Sequence, residues 1–136
     1  MEQRINFVTL VVSDLAATRA FYVDGLGWQP ALEAPGEVLM FHVGDKVVLS
    51  LWAQEHAEAE IGPVSRAGTL PFTIAHNCRD EAGVDAVLAD ARAAGAEVSD
   101  PVRRDWGGYS GYFADPDGFR WEIAFNPYPV ADVSIP

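Results

Sequence analysis

The sequence predicts an α+β fold built from two successive modules, each a strand, a helix and three further strands. Three observations predict it. Apolar runs of strand length recur along the chain, two of them lead directly into a capped helical pattern, and a charged stretch without period separates the two series. With 136 residues, 49% of them hydrophobic and including four Trp and seven Phe, the chain can bury enough apolar surface for one domain spanning 1–136. Each short sheet would have one face covered by its helix. The opposite faces must then meet each other or enclose something.

Taken in order, Phe7 to Val12 is β-branched or bulky, as a buried strand requires, and Ser13-Asp14 then supplies an N-cap. In the helix that follows, Ala17 with Phe21 and Leu15 with Tyr22 lie on neighbouring rows, and Gly25 and Gly27 offer the positive φ that ends it. Three strands follow at Trp28 to Leu32, Glu37 to Val43 and Lys46 to Trp52, the last two joined by a Gly44-Asp45 hairpin signal. These make module one, about 5–53. AQEHAEAEIGPVSRAGT has charges, Gly and Pro but no clear period and reads as a connector, about 54–69. Module two, about 70–127, repeats the order. Phe72 to Cys78 is strand-like, Asp80 caps a helix carrying Val84, Val87, Leu88 and Ala91 on one face, and Gly95 stops it. Strands follow at Glu97 to Val102, Tyr109 to Ala114 and Phe119 to Phe125, the last two flanking the turn Asp115-Pro116-Asp117-Gly118, and a tail occupies 128–136.

Composition narrows the function classes. A formal charge of −11 argues against nucleic-acid backbones and anionic membrane surfaces, which ask for Lys and Arg clusters. Acidity accommodates a cationic partner, or serves solubility alone. Cys78 is the only cysteine, which excludes an intramolecular disulfide or a cysteine-based zinc site and suits a reducing compartment. The apolar run INFVTLVV has neither a cleavage pattern nor the length to span a bilayer, so a cytoplasmic protein is expected. His42, His56 and His76 show no HxH or HExxH spacing, and no phosphate loop or nucleophile motif is present.

The opening INFVTLVVSDLAATRAFYVDGLGW and the closing YFADPDGFRWEI resemble the vicinal-oxygen-chelate superfamily, that of glyoxalase I, bleomycin-resistance proteins and extradiol dioxygenases. The resemblance implies paired βαβββ modules whose curved mixed sheets enclose a cavity for a ligand or metal, commonly in a homodimer. It also implies where metal ligands would stand. The first-strand His is replaced by Phe7, and the second-module His by Thr73, with His76 entering only if the alignment of TIAHNC shifts. The Glu that ends module one is replaced by Leu49 or Ser50 of VVLSLW; only the final-strand Glu has a counterpart, Glu122. One carboxylate of four ligands cannot fill the coordination sphere of a divalent cation, so no metal cofactor is expected.

Along FRWEIAF, Phe119, Trp121, Ile123 and Phe125 share one face, which should meet the helix layer, and Arg120, Glu122 and Ala124 share the other. Glu122 is then either a solvated surface carboxylate or, as the resemblance implies, a group lining the cavity beside Phe7 and Trp52, placed as a general acid or base. In WGGYSGYF, Trp106, Tyr109 and Tyr112 either offer flat pocket walls or complete the core of a Gly-kinked strand. Asn77, on the predicted face of Thr73, adds a donor and an acceptor. The expected function is metal-independent binding of a small organic molecule, cationic or aromatic, in the manner of a sequestering drug-resistance protein. The alternative is an enzyme of the superfamily, a lyase, isomerase or dioxygenase, in which Glu122 is the base or a residual ligand of a divalent metal.

Overall fold

The computed structural model describes residues 1–129, in which nine strands, three α-helices and a π-helical segment contain the expected repeat of strand, helix and strands with one helix and one strand more than expected; 130–136 of the expected tail lie outside the described residues. Chain contacts divide it into two compact units that meet at Ala67 and Gly68, within the expected connector.

In the first unit, β1 (Phe7–Val12) runs parallel to β4 (Val47–Ala53), which pairs antiparallel with β3 (Val38–Gly44), and β3 pairs with the short β2 (Leu32–Ala34). Alternation then divides the sheet. Leu10, Val12, Leu39, Phe41, Leu49 and Leu51 are buried on one face. Covering that face is α1 (Leu15–Arg19), whose N-cap Asp14 accepts a hydrogen bond from Ala17 N at 2.9 Å, followed by a π-helical segment over Ala20–Gly25. The buried Thr18 hydroxyl donates back to Asp14 O at 2.8 Å, a bond that bends helices, and the wider turn beyond brings both Phe21 and Tyr22 inward. Ala17, expected on the buried row, is exposed, because this change of pitch shifts the buried register.

Two local expectations are corrected here, while the hairpin expected at Gly44-Asp45 is present. Trp28 to Leu32 is not a strand: Trp28 N donates to Tyr22 O at 2.9 Å and the indole packs on Tyr22 and Phe41, at 5.3 and 5.2 Å between centroids. That backbone group is therefore unavailable to a ladder, and pairing starts only where Ala31 N reaches Met40 O. In the hairpin it is Lys46, at φ 67°, and not Gly44 that takes the left-handed conformation. Finally, the expected connector contains α2 (Gln54–Ile61), a helix that buries only Ala57 fully. With so narrow a buried stripe it leaves no apolar period in the sequence.

The second unit repeats the plan. Parallel to β5 (Ile74–Cys78) runs β9 (Arg120–Phe125), which pairs antiparallel with β8 (Tyr109–Ala114), and β8 pairs with β6 (Glu97–Val98) and β7 (Val102–Arg103). Between β5 and β6, α3 (Glu81–Ala93) is capped by Asp80, which accepts from Gly83 N at 2.8 Å, and it buries Val84, Leu88 and Ala91 against the sheet. Facing them are Phe113 and Trp121, stacked at 5.9 Å, with Ile123. The expected strand from Glu97 to Val102 is split around Pro101, which has no N–H to give. Ser99 bridges the break: its N donates to Tyr112 O and its hydroxyl accepts from Tyr112 N, at 2.8 and 2.9 Å. The turn to β9 closes with Gly118 N donating to Asp115 O at 2.9 Å, while Asp115 Oδ1 accepts from Asp117 N and Phe119 N. Among the described residues no helix is long and apolar enough to cross a membrane.

Candidate functional site

Each unit leaves one sheet face uncovered by its α1 or α3 helix, and the expected site residues divide between these faces. In the first unit the strand register sets Phe7 beside Val48, Thr9 beside Ser50 and Val11 beside Trp52, with Met40 and Val38 of β3 continuing the last two rows. These side chains line a cleft of ≈ 450 Å³ that Glu37 and Ile61 complete. The walls are chiefly apolar; Thr9 and Ser50 place two hydroxyls on the floor, and Glu37 adds a carboxylate. Phe7 is 57% exposed and Ile61 62%, unusual for large apolar side chains on regular elements. Arg66 holds the end of β1 by donating to Val11 O at 2.6 Å and to Gln54 of α2 at 3.2 Å. Phe7 and Trp52 thus share one cleft. Of the two candidates in VVLSLW, Ser50 faces it and Leu49 is core. Thr9, Val38, Met40 and Ile61 were absent from the sequence reading, although alternation from Phe7 alone points to Thr9 and Val11.

In the second unit, Glu122 pairs with Tyr112 across β8 and β9 and with Ala75 across β5 and β9, so all three lie on the open face. The Tyr112 hydroxyl donates to Glu122 Oε1 at 3.0 Å. Burial, followed by this bond to a carboxylate, raises the Tyr112 phenol above its ordinary value, while Arg104 and Arg120 pull it down. Arg104 stands 5.7 Å from the Tyr112 ring centroid and is itself held by Ser110, its Nε donating to Oγ at 2.9 Å and its Nη2 to the carbonyl at 3.1 Å. Sequence reading missed Arg104 because it lies outside any strand; its only signal was a cation next to an aromatic segment.

Of the other expected residues, Asn77 shares this face and the rest lie elsewhere. Tyr109 points to the opposite face, where its hydroxyl donates to Asp85 of α3 at 2.9 Å, as strict alternation from Tyr112 demands. Trp106 sits in the turn before β8 with its ring so close over Gly108 that a Cβ there would meet it at 1.8 Å. Gly111 likewise serves packing, not a ligand: its missing Cβ makes room for Leu88 of α3. Thr73 is exposed just before β5 begins. Asn77 pairs with Ala124 and so shares the face of Glu122, whereas His76 pairs with Ile123 on the other face.

Among the described residues no three His, Cys, Asp or Glu side chains come together. Phe7 presents carbon, Ser50 a neutral hydroxyl, and Glu122 is engaged by Tyr112. His42, the imidazole nearest Phe7 in register through Val48, is exposed at the end of β3.

Comparison with known proteins agrees with this architecture. A family model described as the Glyoxalase/Bleomycin resistance protein/Dioxygenase superfamily matches residues 4–123. Among solved structures, a glyoxalase-related enzyme from Fulvimarina pelagi is 34% identical with a TM-score of 0.84, over 93% of this chain and 90% of that one. A lactoylglutathione lyase from Agrobacterium tumefaciens is 28% identical with a TM-score of 0.71, over 93% and 96%. A glyoxalase/bleomycin resistance protein/dioxygenase from Nocardioides is 27% identical with a TM-score of 0.73, over 92% and 84%. No curated protein matches the chain. The chain belongs to the glyoxalase/bleomycin resistance protein/dioxygenase superfamily.

Proposed function

We propose that this chain is a metal-independent small-molecule-binding protein that sequesters a drug or metabolite, acting in the cytoplasm as a homodimer. The observation that carries the reading is the cleft of the first unit, whose apolar walls, two hydroxyls and one carboxylate are the furnishings of an organic ligand site. A planar cation suits it: Phe7 and Trp52 offer aromatic faces and Glu37 an opposite charge, and the chain's formal charge of −11 favours approach of cations. The probe is ethidium, with bleomycin as a second compound, followed by tryptophan fluorescence and by melting temperature. Saturating ligand at about a hundredfold excess over Kd should stabilise the fold by ~2.7 kcal/mol, and Trp52→Ala should weaken binding about tenfold or more. If neither compound, nor any in a wider set of organic cations, moves the melting temperature, the proposal fails.

One observation favours a second reading. The Tyr112 hydroxyl donates to one oxygen of the Glu122 carboxylate, as a supporting group does for a general base. On this reading the protein is a lyase, isomerase or dioxygenase, and Glu122→Gln removes turnover without unfolding it. Assay of methylglyoxal with glutathione, the reactants suggested by the lactoylglutathione lyase relative, separates the two: sequestration gives no product, and product that disappears in the variant favours catalysis.

A further inference from the structure

On the open face of the second sheet, Glu97 of β6 pairs with Ala114 of β8, and Ala114 pairs in turn with Arg120 of β9. Residues directly opposite on adjacent strands project to the same side, so the three form one row with a carboxylate at one end, a guanidinium at the other and only a methyl group between. Two strand spacings separate the ends, about 10 Å between their Cα atoms. The row floors a cleft of ≈ 320 Å³ whose walls include Ser99 and Tyr112. Two other arginines of this unit reach carboxylates, Arg103 to Glu81 at 2.7 Å and Arg92 to Asp100 at 4.0 Å. Arg120 differs. Its hydrogen bond goes to the neutral Thr69 hydroxyl at 3.4 Å, and among the described residues neither Arg120 nor Glu97 takes part in an ion pair.

Two opposite charges at the ends of one row, over a shallow cleft, suit a ligand that carries both. A simple anion on Arg120 would meet the repulsion of Glu97 and of Glu122, which shares the same face, and of a chain with a formal charge of −11. A simple cation on Glu97 would leave Arg120 without a carboxylate. We propose that this row binds a small amino carboxylate, its carboxylate on the Arg120 guanidinium, its ammonium on Glu97 and its methylene chain over Ala114 against Tyr112. Ser99, whose oxygen already accepts from Tyr112 N, keeps its own proton to donate to the same carboxylate or to solvent. None of these residues lines the first unit's cleft, so either proposal can fail alone.

The test follows amide chemical shifts of isotope-labelled protein during titration with unbranched amino acids of increasing length, from β-alanine to aminohexanoate, and with the single-charge analogues butyrate and butylamine. The expected result is saturable shifts at Ser99, Ala114 and Arg120 for a narrow range of chain lengths, with each single-charge analogue weaker by about tenfold or more. Glu97→Gln and Arg120→Gln should each bring the amino acids down to the level of the analogues. Ala114→Leu, which keeps both charges and fills the notch, should abolish the shifts. Equal shifts with amino acids and analogues, or the absence of any saturable shift, would overturn the proposal.

Discussion

Replacing Gly111 with alanine adds one methyl group between β8 and α3. An ideal Cβ at this position lies 2.6 Å from Leu88 Cδ1, 3.2 Å from Pro101 Cα and 3.3 Å from Pro101 Cβ. Carbon atoms prefer about 3.5–4.0 Å, so the Leu88 methyl must retreat by roughly 1 Å, and the Pro101 backbone can give less. Leu88 is only 2% exposed and has no open space to move into. Overpacking of this size costs about 1–3 kcal/mol. For a chain this long ~2 kcal/mol corresponds to a fall of about 8 °C in melting temperature. Denaturant unfolding of the parent, Gly111→Ala, Leu88→Ala and the double variant gives the decisive comparison. Leu88→Ala alone should cost about 2–5 kcal/mol through its cavity. The new methyl partly fills that cavity, so the double variant should be more stable than the sum of the two by about 1 kcal/mol or more. Strict additivity, or a Gly111→Ala cost below about 0.5 kcal/mol, would refute the claim that this glycine sets the distance between helix and sheet.

Two other perturbations reach different parts of the structure. Asp80→Ala removes the acceptor for Gly83 N at the start of α3 and should cost about 1 kcal/mol, read as a shifted denaturant midpoint with an unchanged slope. The Tyr109 phenol is raised above its ordinary value, first by its bond to Asp85 and then by burial, and that of Tyr112 is raised first by burial and then by its bond to Glu122. A raised folded value means stability that is fully present below the unfolded tyrosine pKa of about 10 and is lost as pH climbs through the folded values. Stability of the parent should therefore fall more steeply above about pH 10 than that of a Tyr109→Phe, Tyr112→Phe double variant, and parallel alkaline profiles would contradict these bonds.

Much of the fold was legible because local chemistry agreed with tertiary need. Asp14 and Asp80 are N-caps where expected, β1 and β8 have the bounds their residues suggest, and Asp115 to Gly118 forms the turn that its Pro and Gly specify. What escaped depended on tertiary structure. In α2, Glu, Ala and Gln favour a helix, but with Ala57 as its single fully buried residue there was no periodic stripe to reveal it. The end of the first helix widened because buried Thr18 back-bonds and two adjacent aromatics turn inward, which a 3.6-residue period does not anticipate. At the candidate site, alternation set Glu122 on the face opposite Trp121 and Ile123 as expected, yet Tyr109 was grouped with Tyr112 only by ignoring the same alternation, and the pairing of Tyr112 with Glu122 emerges only from the strand register. The cleft residues Met40 and Val38 depend on the register of the β3–β4 hairpin, which shifts at an irregularity between His42 and Gly44 that the residues there do not announce.

Metal-free ligand binding is tested most directly by fluorescence titration of ethidium into protein stripped with chelator, repeated after addition of nickel, zinc, manganese, cobalt or iron(II). Binding of the same affinity in every sample, abolished or weakened about tenfold by Trp52→Ala, is the predicted result. Binding that appears only after a metal is added, together with stoichiometric retention of that metal, would contradict it and make Glu122 a ligand in a coordination sphere that the residues around it do not now supply.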